Sequence, residues 1–343
     1  MSKLKKTLRI LTIIDPHGAD KNPGARVDNY REAFFKKLDE ISLLVKKHKV
    51  DVVVVTGDIF SSKEKLRNSH TLTSVISEKF LNIGCDVVGV LGNHDLYQDR
   101  LSSWEEQPIA VLIRTKSIKL LDNSPIFYEL EGGFRVCLRG QSYTTYDNDK
   151  HFFAPRGDED LLIHVSHSAV CPSGGIYDKY GEKMLSYKEL SKSSPDIFIL
   201  GHIHTDYGIT EEFGKVFVQN GSLMRSTTHC YNLERDVKVG LLEITKDKVK
   251  TKELKLTVED HSVIFDLELK KKIEEETAKL ESLLVSLDGT LDDAIIKSDS
   301  ESLNIEELFL EIEEEGITSK ELLSKYRHYM SEAKNVKDNT RKA

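Results

Sequence analysis

Val50-Asp51-Val52-Val53-Val54-Val55-Thr56-Gly57-Asp58-Ile59-Phe60 is the stretch on which the fold turns. Its first seven residues form a β-branched run broken only by Asp51, and the run stops at Gly57-Asp58. Such a run suits a strand covered on both faces, not one with a wet side. Upstream, Leu8–Ile14 reads as a second buried strand that ends at Asp15. Between them, Val27–His48 has helical spacing, with Phe34, Phe35, Leu38, Ile41, Leu44 and Val45 on one side. Downstream, Ser69–Leu81 reads as a helix and Val87–Leu91 as a strand that stops at Gly92. Strand, helix, strand, helix, strand before residue 95 is an α/β pattern. In such sheets the loops at the C-terminal strand ends gather ligands.

The second half is richer in strands. Phe127–Leu130 and Arg135–Arg139 flank Glu131-Gly132-Gly133, a hairpin signal. Leu161–Val165 leads into His167, Ile197–Leu200 into Gly201, and Lys215–Gln219 into Asn220-Gly221-Ser222. Val237–Ile244 and Lys248–Leu256 read as a closing hairpin. After about residue 257 the texture turns helical and acidic. Leu269–Leu287 carries an apolar stripe, and Asn304-x-x-Glu307 and Thr318-x-x-Glu321 are capping-box signatures opening two short helices. The division expected is a catalytic domain over 1–257 and a helical extension over 258–343, suited to a partner.

Bulk properties narrow the class. The 343 residues are enough for two domains. No apolar run approaches bilayer length, so no membrane association is expected. The basic start, Met1 to Lys6, is followed by only a short apolar stretch containing Arg9, which reads as a first strand and not a signal peptide. Cys85, Cys137, Cys171 and Cys230 have no CxxC spacing, and reduced thiols in a cytoplasmic protein are expected. A nucleoid-associated protein, or one made in a host cytoplasm by a phage, is compatible with this. Net charge is −8, yet residues 251–343 hold 14 Lys and Arg against 23 Asp and Glu, so the first 250 carry a net +1. The acidic total argues against tight unaided binding to nucleic acid, while the near-neutral first part leaves room for a local basic patch.

Five polar motifs close the strand-like segments: Asp15-Pro16-His17, Gly57-Asp58, Gly92-Asn93-His94-Asp95, His167, and Gly201-His202-Ile203-His204. Carboxylate, imidazole and amide donors without thiolate suit a pair of hard-to-borderline divalent ions. Two ions roughly 3.5–4 Å apart are a standard device for displacing an oxygen at phosphorus. Asp58 is the natural bridge, offering one oxygen to each ion. Asp15 and His17, alternate residues of an extended turn, can share one ion, and Asn93 can complete the other. His202 and His204 can supply one imidazole each, and His167 fills the remaining place. A bridging hydroxide is the expected nucleophile. His94 is placed to stabilise phosphoryl oxygens or protonate the leaving group, with Asp95 orienting its ring. His164, inside the same strand as His167, reads as a buried histidine but competes with it as a ligand.

These motifs, in this order over residues 8–225, resemble the pattern D-x-H, GD, GNH-D/E, H, GHxH of the calcineurin-like metallophosphoesterase superfamily. Gly57-Asp58-Ile59-Phe60 and Gln219-Asn220-Gly221-Ser222 are most similar to the SbcD-like DNA repair nucleases. The resemblance implies a four-layer α/β/β/α sandwich with a C-terminal helical extension. It implies two divalent ions, usually Mn²⁺. One is held by Asp15, His17, Asp58 and His204 and the other by Asp58, Asn93, His167 and His202, with His94 catalytic. It implies a DNA exonuclease and endonuclease subunit working in repair or recombination with a coiled-coil ABC ATPase of the SbcC type; a homodimer is a further partner expected. Pro16 departs from the residue usual in those nucleases, and the tail shows no cap of two α/β units. The rival readings are a stand-alone phosphoesterase acting on nucleotides, cyclic nucleotides or phosphoproteins, and a scaffold with a vestigial site.

Lys63, Lys65 and Arg67 follow the second motif in a loop that should face the site, as solvated charges or as phosphate contacts. Tyr143, Tyr146 and Trp104 are candidates for base stacking, with packing the commoner role.

Overall fold

The computed structural model describes residues 5–23, 26–63, 65–122, 124–143, 151–177, 182–228, 230–268, 271, 272 and 275. The chain divides into two compact units, Met1–Asp266 and Leu267–Ala343. The helices expected after Asn304 and Thr318 lie outside the described residues, as do all but residues 271, 272 and 275 of the one expected over 269–287, Tyr146 and the side chain of Lys65.

The valine run is β2 (Val52–Val55), and it lies between β1 (Leu8–Ile13) and β3 (Asp86–Gly89). The three run parallel, with Ile10 opposite Val52 and Val53 opposite Val87, and the short β4 (Lys119–Leu120) continues the sheet beyond β3. Successive side chains point to opposite faces. Leu11, Ile13, Val53 and Val55 pack under helices, while Leu8, Ile10, Val52 and Val54 face a second sheet. That is why the run is apolar at every position.

The second sheet holds β5 (Ile126–Glu129), β6 (Arg135–Gln141), β7 (Leu161–His167), β11 (Ile197–Gly201), β12 (Asp206–Glu212) and β13 (Lys215–Asn220), in the order β12-β13-β11-β7-β6-β5. Its four inner strands are parallel and both edges antiparallel. A small sheet of β8 (Val170–Cys171), β10 (Glu182–Ser186) and β9 (Gly175–Tyr177) lies between β7 and β11 in sequence. The hairpin of β14 (Lys238–Ile244) and β15 (Val249–Lys255) returns to the first sheet, with β14 antiparallel to β1.

Helices α1 (Tyr30–His48), α2 (His70–Leu81) and α3 (Ile109–Arg114) cover the outer face of the first sheet. Helix α1 is capped by Asn29, whose side chain accepts the Glu32 N–H, and it ends at Lys49 in the left-handed region. Tyr30 and Phe34 are fully buried beneath it; truncating a buried aromatic of this kind costs about 3–5 kcal/mol. The outer face of the second sheet buries Phe198, Leu200 and Phe217 under Phe152 and the short helix α4 (Tyr187–Leu190). The order of layers is helix, sheet, sheet, helix, with two large central sheets. The second helical layer is the thinner among the described residues.

The first unit closes beyond residue 257. Lys37 Nζ donates to the Thr257 carbonyl at 2.5 Å, Glu40 accepts the Thr257 N–H at 3.0 Å, and Val27 N–H donates to the Ile264 carbonyl at 2.9 Å. These bonds bind residues 257–264 to α1 and to its approach.

Candidate metal centre

The C-terminal ends of β1, β2, β3, β7 and β11 open at one end of the two sheets, so all five motifs meet there. Asp15 follows β1, Asp58 follows β2, the Asn93–Asp95 turn follows β3, His167 is the last residue of β7 and His202 follows β11. The loops are zipped together by backbone. His17 N–H donates to the Asp58 carbonyl and Gly18 N–H to the Ile59 carbonyl, both at 2.8 Å. Two glycines make the approach possible. A Cβ on Gly92 would stand 2.0 Å from Asp58 Oδ1, and one on Gly201 would stand 2.4 Å from Asp15 Oδ1. Asp15, His17, Asp58 and His202 all have φ between 41° and 85°. So Asp15 and His17 are not in the extended turn expected from their spacing; each sits in the left-handed region. Strain of that kind persists only where the surroundings over-determine it, as at functional sites.

Two groups of donor atoms result. His17 Nε2 and His204 Nε2 are 2.8 Å apart, with Asp58 Oδ2 3.5 Å from the first and Asp15 Oδ2 4.0 Å from the second. The donor atoms of His17, Asp58 and His204 all lie within 4.8 Å of one another. In the other group, His202 Nδ1 is 3.2 Å from His167 Nε2, and Asn93 Oδ1 is 3.2 and 3.1 Å from these two nitrogens. Asp58 Oδ2 is also 3.5 Å from His167 Nε2. One carboxylate oxygen therefore faces both groups. Asp58 Oδ1 accepts the His94 N–H at 2.7 Å. Asp58 Oδ1, which was expected to serve one ion as Oδ2 serves the other, is thus also a backbone acceptor here and keeps one further lone pair.

Lone pairs meeting lone pairs are the test of fit for a cation. His167 Nδ1 donates to the Thr56 carbonyl at 2.8 Å, so in the neutral ring Nε2 carries the lone pair and points at Asn93 Oδ1 and Asp58 Oδ2. Ligands adjacent on one ion at about 2.1 Å stand roughly 3.0–3.4 Å apart, which matches the separations of 3.1 and 3.2 Å among Asn93, His167 and His202. Burial, joined by the neighbouring imidazoles, holds His17 well below the usual histidine range, and the same causes lower the part-exposed His204. Burial brings His167 to about 4, against the pull of Asp58. Unprotonated rings at neutral pH are what a metal requires. Burial would raise Asp58, but the imidazoles of His167, His94 and His17 and the His94 N–H hold it well below the carboxylate range. Burial and the Asp58 charge push Asp15 up, although it accepts the Thr56 hydroxyl at 2.9 Å and the His202 N–H at 2.7 Å.

His94 is half-buried beside the first group, its ring centroid 5.1 Å from that of His17. Its Nδ1 donates to the Ser61 carbonyl at 2.7 Å. That corrects the role expected of Asp95, which does not orient the ring. Asp95 accepts the backbone N–H groups of Ile59, Phe60 and Gly92 at 3.0, 3.3 and 3.0 Å, bracing the turn against the loop after β2. Burial and Asp58 push its carboxyl up to about 8, against those three donors.

His164 is excluded by parity. It is three residues from His167 and so on the opposite face of β7, where it packs on Phe152 and accepts Arg139 Nε–H at 3.2 Å. Lys63 is engaged with Asp99 at 2.5 Å, Arg67 is exposed, and Trp104 packs on the core of the first sheet. Tyr143 is buried with its ring 5.4 Å from His202 and 6.0 Å from His167, as a wall of the second group. Thr56, Ser61 and Tyr30, whose hydroxyl donates to the His17 carbonyl at 2.8 Å, were not singled out from sequence. Thr56 and Ser61 flank the Gly57–Phe60 motif, which was the available signal. A cavity of about 500 Å³ between α1 and residues 257–264 lies apart from this cluster, with Arg26, Lys37, Arg225, Glu40 and Glu259 in its walls.

The sequence profile of calcineurin-like phosphoesterases matches residues 8–206, more than half of the chain. The chain belongs to the calcineurin-like phosphoesterase family. A crystal structure of a dimetal phosphatase from Danio rerio is similar over 74% of this chain and 99% of that one, at 16% identity and a TM-score of 0.46. Another solved structure is similar over 72% of this chain and 99% of that one, at 14% identity and a TM-score of 0.41. As a calcineurin-like phosphoesterase the chain is a metal-dependent hydrolase, and its candidate metal site is the His17–Asp58–His204 cluster.

Proposed function

We propose that this phosphoesterase is a two-metal phosphodiesterase that cuts DNA. The observation that supports the two-metal part is Asp58 Oδ2, 3.5 Å from a ring nitrogen in each donor group. Asp15, His17, Asp58 and His204 would hold one ion, and Asp58, Asn93, His167 and His202 the other, with Mn²⁺ the metal proposed. When bound, two such ions supply Lewis-acid charge to water and to phosphoryl oxygens. The chain supplies the rest. Thr56 fixes the His167 tautomer through its carbonyl, and Ser61 does the same for His94. With Nδ1–H held by Ser61, His94 Nε2 is left to carry a proton to the leaving oxygen. Tyr143 shields the second group from water.

The substrate part rests on Gly57-Asp58-Ile59-Phe60 and Gln219-Asn220-Gly221-Ser222, the stretches most like the DNA repair nucleases. The test is incubation of the pure protein and Mn²⁺ with labelled double- and single-stranded DNA, beside bis-p-nitrophenyl phosphate, p-nitrophenyl phosphate and cyclic nucleotides. Metal-dependent cutting of DNA supports the reading. Turnover of a small ester or nucleotide with DNA left intact would replace it by a stand-alone phosphoesterase, the reading favoured by the engagement of Lys63 with Asp99. The partner proposed is a coiled-coil ABC ATPase of the SbcC type, bound through the acidic residues after Asp266. Co-purification should be lost when the chain ends at Asp266, and unchanged binding would overturn that part.

A further inference from the structure

Both donor groups are built across the gap between the sheets. In the first, Asp15, His17 and Asp58 follow strands of one sheet and His204 follows a strand of the other. In the second, Asp58 and Asn93 stand on one side and His167 and His202 on the other. The spacing of the ligands therefore depends on how firmly the two sheets are pinned at this end. Besides the bonds inside the site, from His202 N–H to Asp15 and from His167 to the Thr56 carbonyl, two polar clamps pin them, one on each flank.

On the first flank Lys238, at the start of β14, places Nζ 2.8 Å from Asp206 Oδ2 of the other sheet and 3.0 Å from Glu253 Oε2 of β15. Glu253 Oε1 in turn accepts from Asn220 Nδ2 at 2.8 Å and from Ile209 N–H at 3.2 Å, both across the gap. The Lys238 and Asp206 side chains are only 14% and 15% exposed, so the pair is screened far less than a surface pair. Asp206 is two residues from His204, and a Cβ on Gly221 would strike the His204 carbonyl at 2.6 Å, so this corner has little room to shift.

On the second flank Asp122, just past β4, accepts the Ser142 N–H at 2.8 Å and the Ser142 hydroxyl. Ser142 Oγ accepts the Leu91 N–H at 2.7 Å, and Tyr143 N–H donates to the Leu91 carbonyl at 2.8 Å. Leu91 is two residues before Asn93, and the Tyr143 ring leans on His202 and His167.

We propose that Lys238 and Ser142 are positioning residues, each setting one ion pocket: Lys238 through Asp206 for the pocket of His17 and His204, Ser142 with Asp122 for the pocket of Asn93, His167 and His202. This rests on the two-metal reading. Residues that support metal ligands without touching the metal typically change affinity by 10–100-fold. A clamp that served stability alone would lower the melting temperature and leave both pockets alike.

The test is calorimetric titration of metal-free, full-length protein with Mn²⁺. His167→Ala leaves the first pocket to be read alone, and His204→Ala leaves the second. Lys238→Met should weaken Mn²⁺ by roughly 10–100-fold in the first background and by less than about twofold in the other. Ser142→Ala should do the reverse, and Lys238→Arg should restore most of the first loss. Should Lys238→Met fail to fold by circular dichroism, Glu253→Gln loosens the same clamp more gently and carries the same expectation. Equal weakening of both pockets, or of neither, overturns the proposal. Wild-type protein that binds fewer than two ions overturns the two-metal reading and this proposal with it; two ions with no pocket-selective change overturns the clamps alone.

Discussion

The two donor groups, read as two ion pockets in the proposed function, share Asp58 and are otherwise made differently. The pocket of His17 and His204 is built on loops: His17 and Asp15 have positive φ, and the His204 side chain is 28% exposed. The pocket of Asn93, His167 and His202 shares that strain at one residue only, His202 with φ 85°, and takes its other two members from regular structure. His167 ends a strand and is fully buried, Asn93 opens a short 3₁₀ turn, and Tyr143 walls the pair of imidazoles. His204 is the part-exposed member of the first group, while both imidazoles of the second are buried. The proposed acid, His94, stands beside the first group. Under the two-metal reading the contrast predicts a division of labour, the buried group holding its ion more firmly than the group beside His94.

The shared carboxylate tests that division most severely. Asp58→Ala removes the one oxygen that faces both pockets and should release at least one ion. Lewis-acid charge is worth several kcal/mol, so turnover should fall by about 10³-fold or more. Anomalous scattering showing two fully occupied ions in that variant would undo the bridge. Next is His94→Gln; the His94 side chain packs edge-on against His17 but supplies no atom to either donor group. It should keep both ions and lose about 10²–10⁴-fold in rate. Near wild-type turnover would remove the proton-transfer role, and loss of an ion would turn His94 into a ligand.

The difference between the pockets themselves should read as affinity. On titration with a chelator, the ion beside His204 should leave first and the one beside His167 last, by about an order of magnitude in chelator concentration. His204→Ala should abolish the early step and His167→Ala the late one. Simultaneous loss of both ions would show that exposure and backbone strain do not distinguish the pockets.

How much of this was legible before the structure follows from what kind of information each feature needs. The valine run announced a sheet covered on both sides because period-two burial leaves no polar position, and Val52 to Val55 alternate between the two cores as that requires. The strand-end motifs announced their meeting place, since parallel strands bring their C-terminal ends together. What failed was partner choice. Asp95 was expected on the His94 ring because it is adjacent in sequence, but adjacent residues in a tight turn diverge, and a carbonyl from the next loop takes the ring nitrogen. The backbone N–H that Asp58 Oδ1 accepts from His94 was likewise not foreseen. Contacts made by backbone groups of distant loops leave no trace in side-chain identity. The small sheet of β8, β9 and β10 and the edge strand β12 were missed for a related reason. They are short or polar, and their pairing is decided by neighbours.

His164 and His167 carry the comparison into one strand. His167 turns to the pocket, while His164 turns outward and its Nε2 is buried without a hydrogen-bond partner. Burial, with Arg139 beside it, depresses His164 to about 3. The unfolded chain takes up this proton near the ordinary histidine pKa of about 6.5. Between those values the unfolded state binds more protons, so stability declines as pH falls from about 6.5 towards 3. His164→Gln, which cannot titrate, should flatten that decline by about 2 kcal/mol between pH 7 and pH 5. Urea melts at the two pH values measure it, and an unchanged slope would place the acid sensitivity elsewhere, in the pocket histidines.

The smallest effect belongs to the rim of the first pocket. Lys63 lies two residues beyond Ser61, whose carbonyl holds His94, and it is paired with Asp99 across the neighbouring loop. Both side chains are about a third exposed, at 37% and 34%. An ion pair so exposed contributes roughly 0–1 kcal/mol, so Lys63→Met and Asp99→Asn should each shift stability by no more than that. Their effect on substrate separates two roles for the loop. If Lys63 leaves Asp99 to meet a phosphate, Lys63→Met raises KM for DNA and Asp99→Asn lowers it, because the lysine is then released in advance. If the pair only ties the loop, neither changes KM, and both lower kcat slightly by loosening Ser61 beneath His94. The geometry favours the second pattern, because the ammonium already has a carboxylate at 2.5 Å and a phosphate would have to displace it.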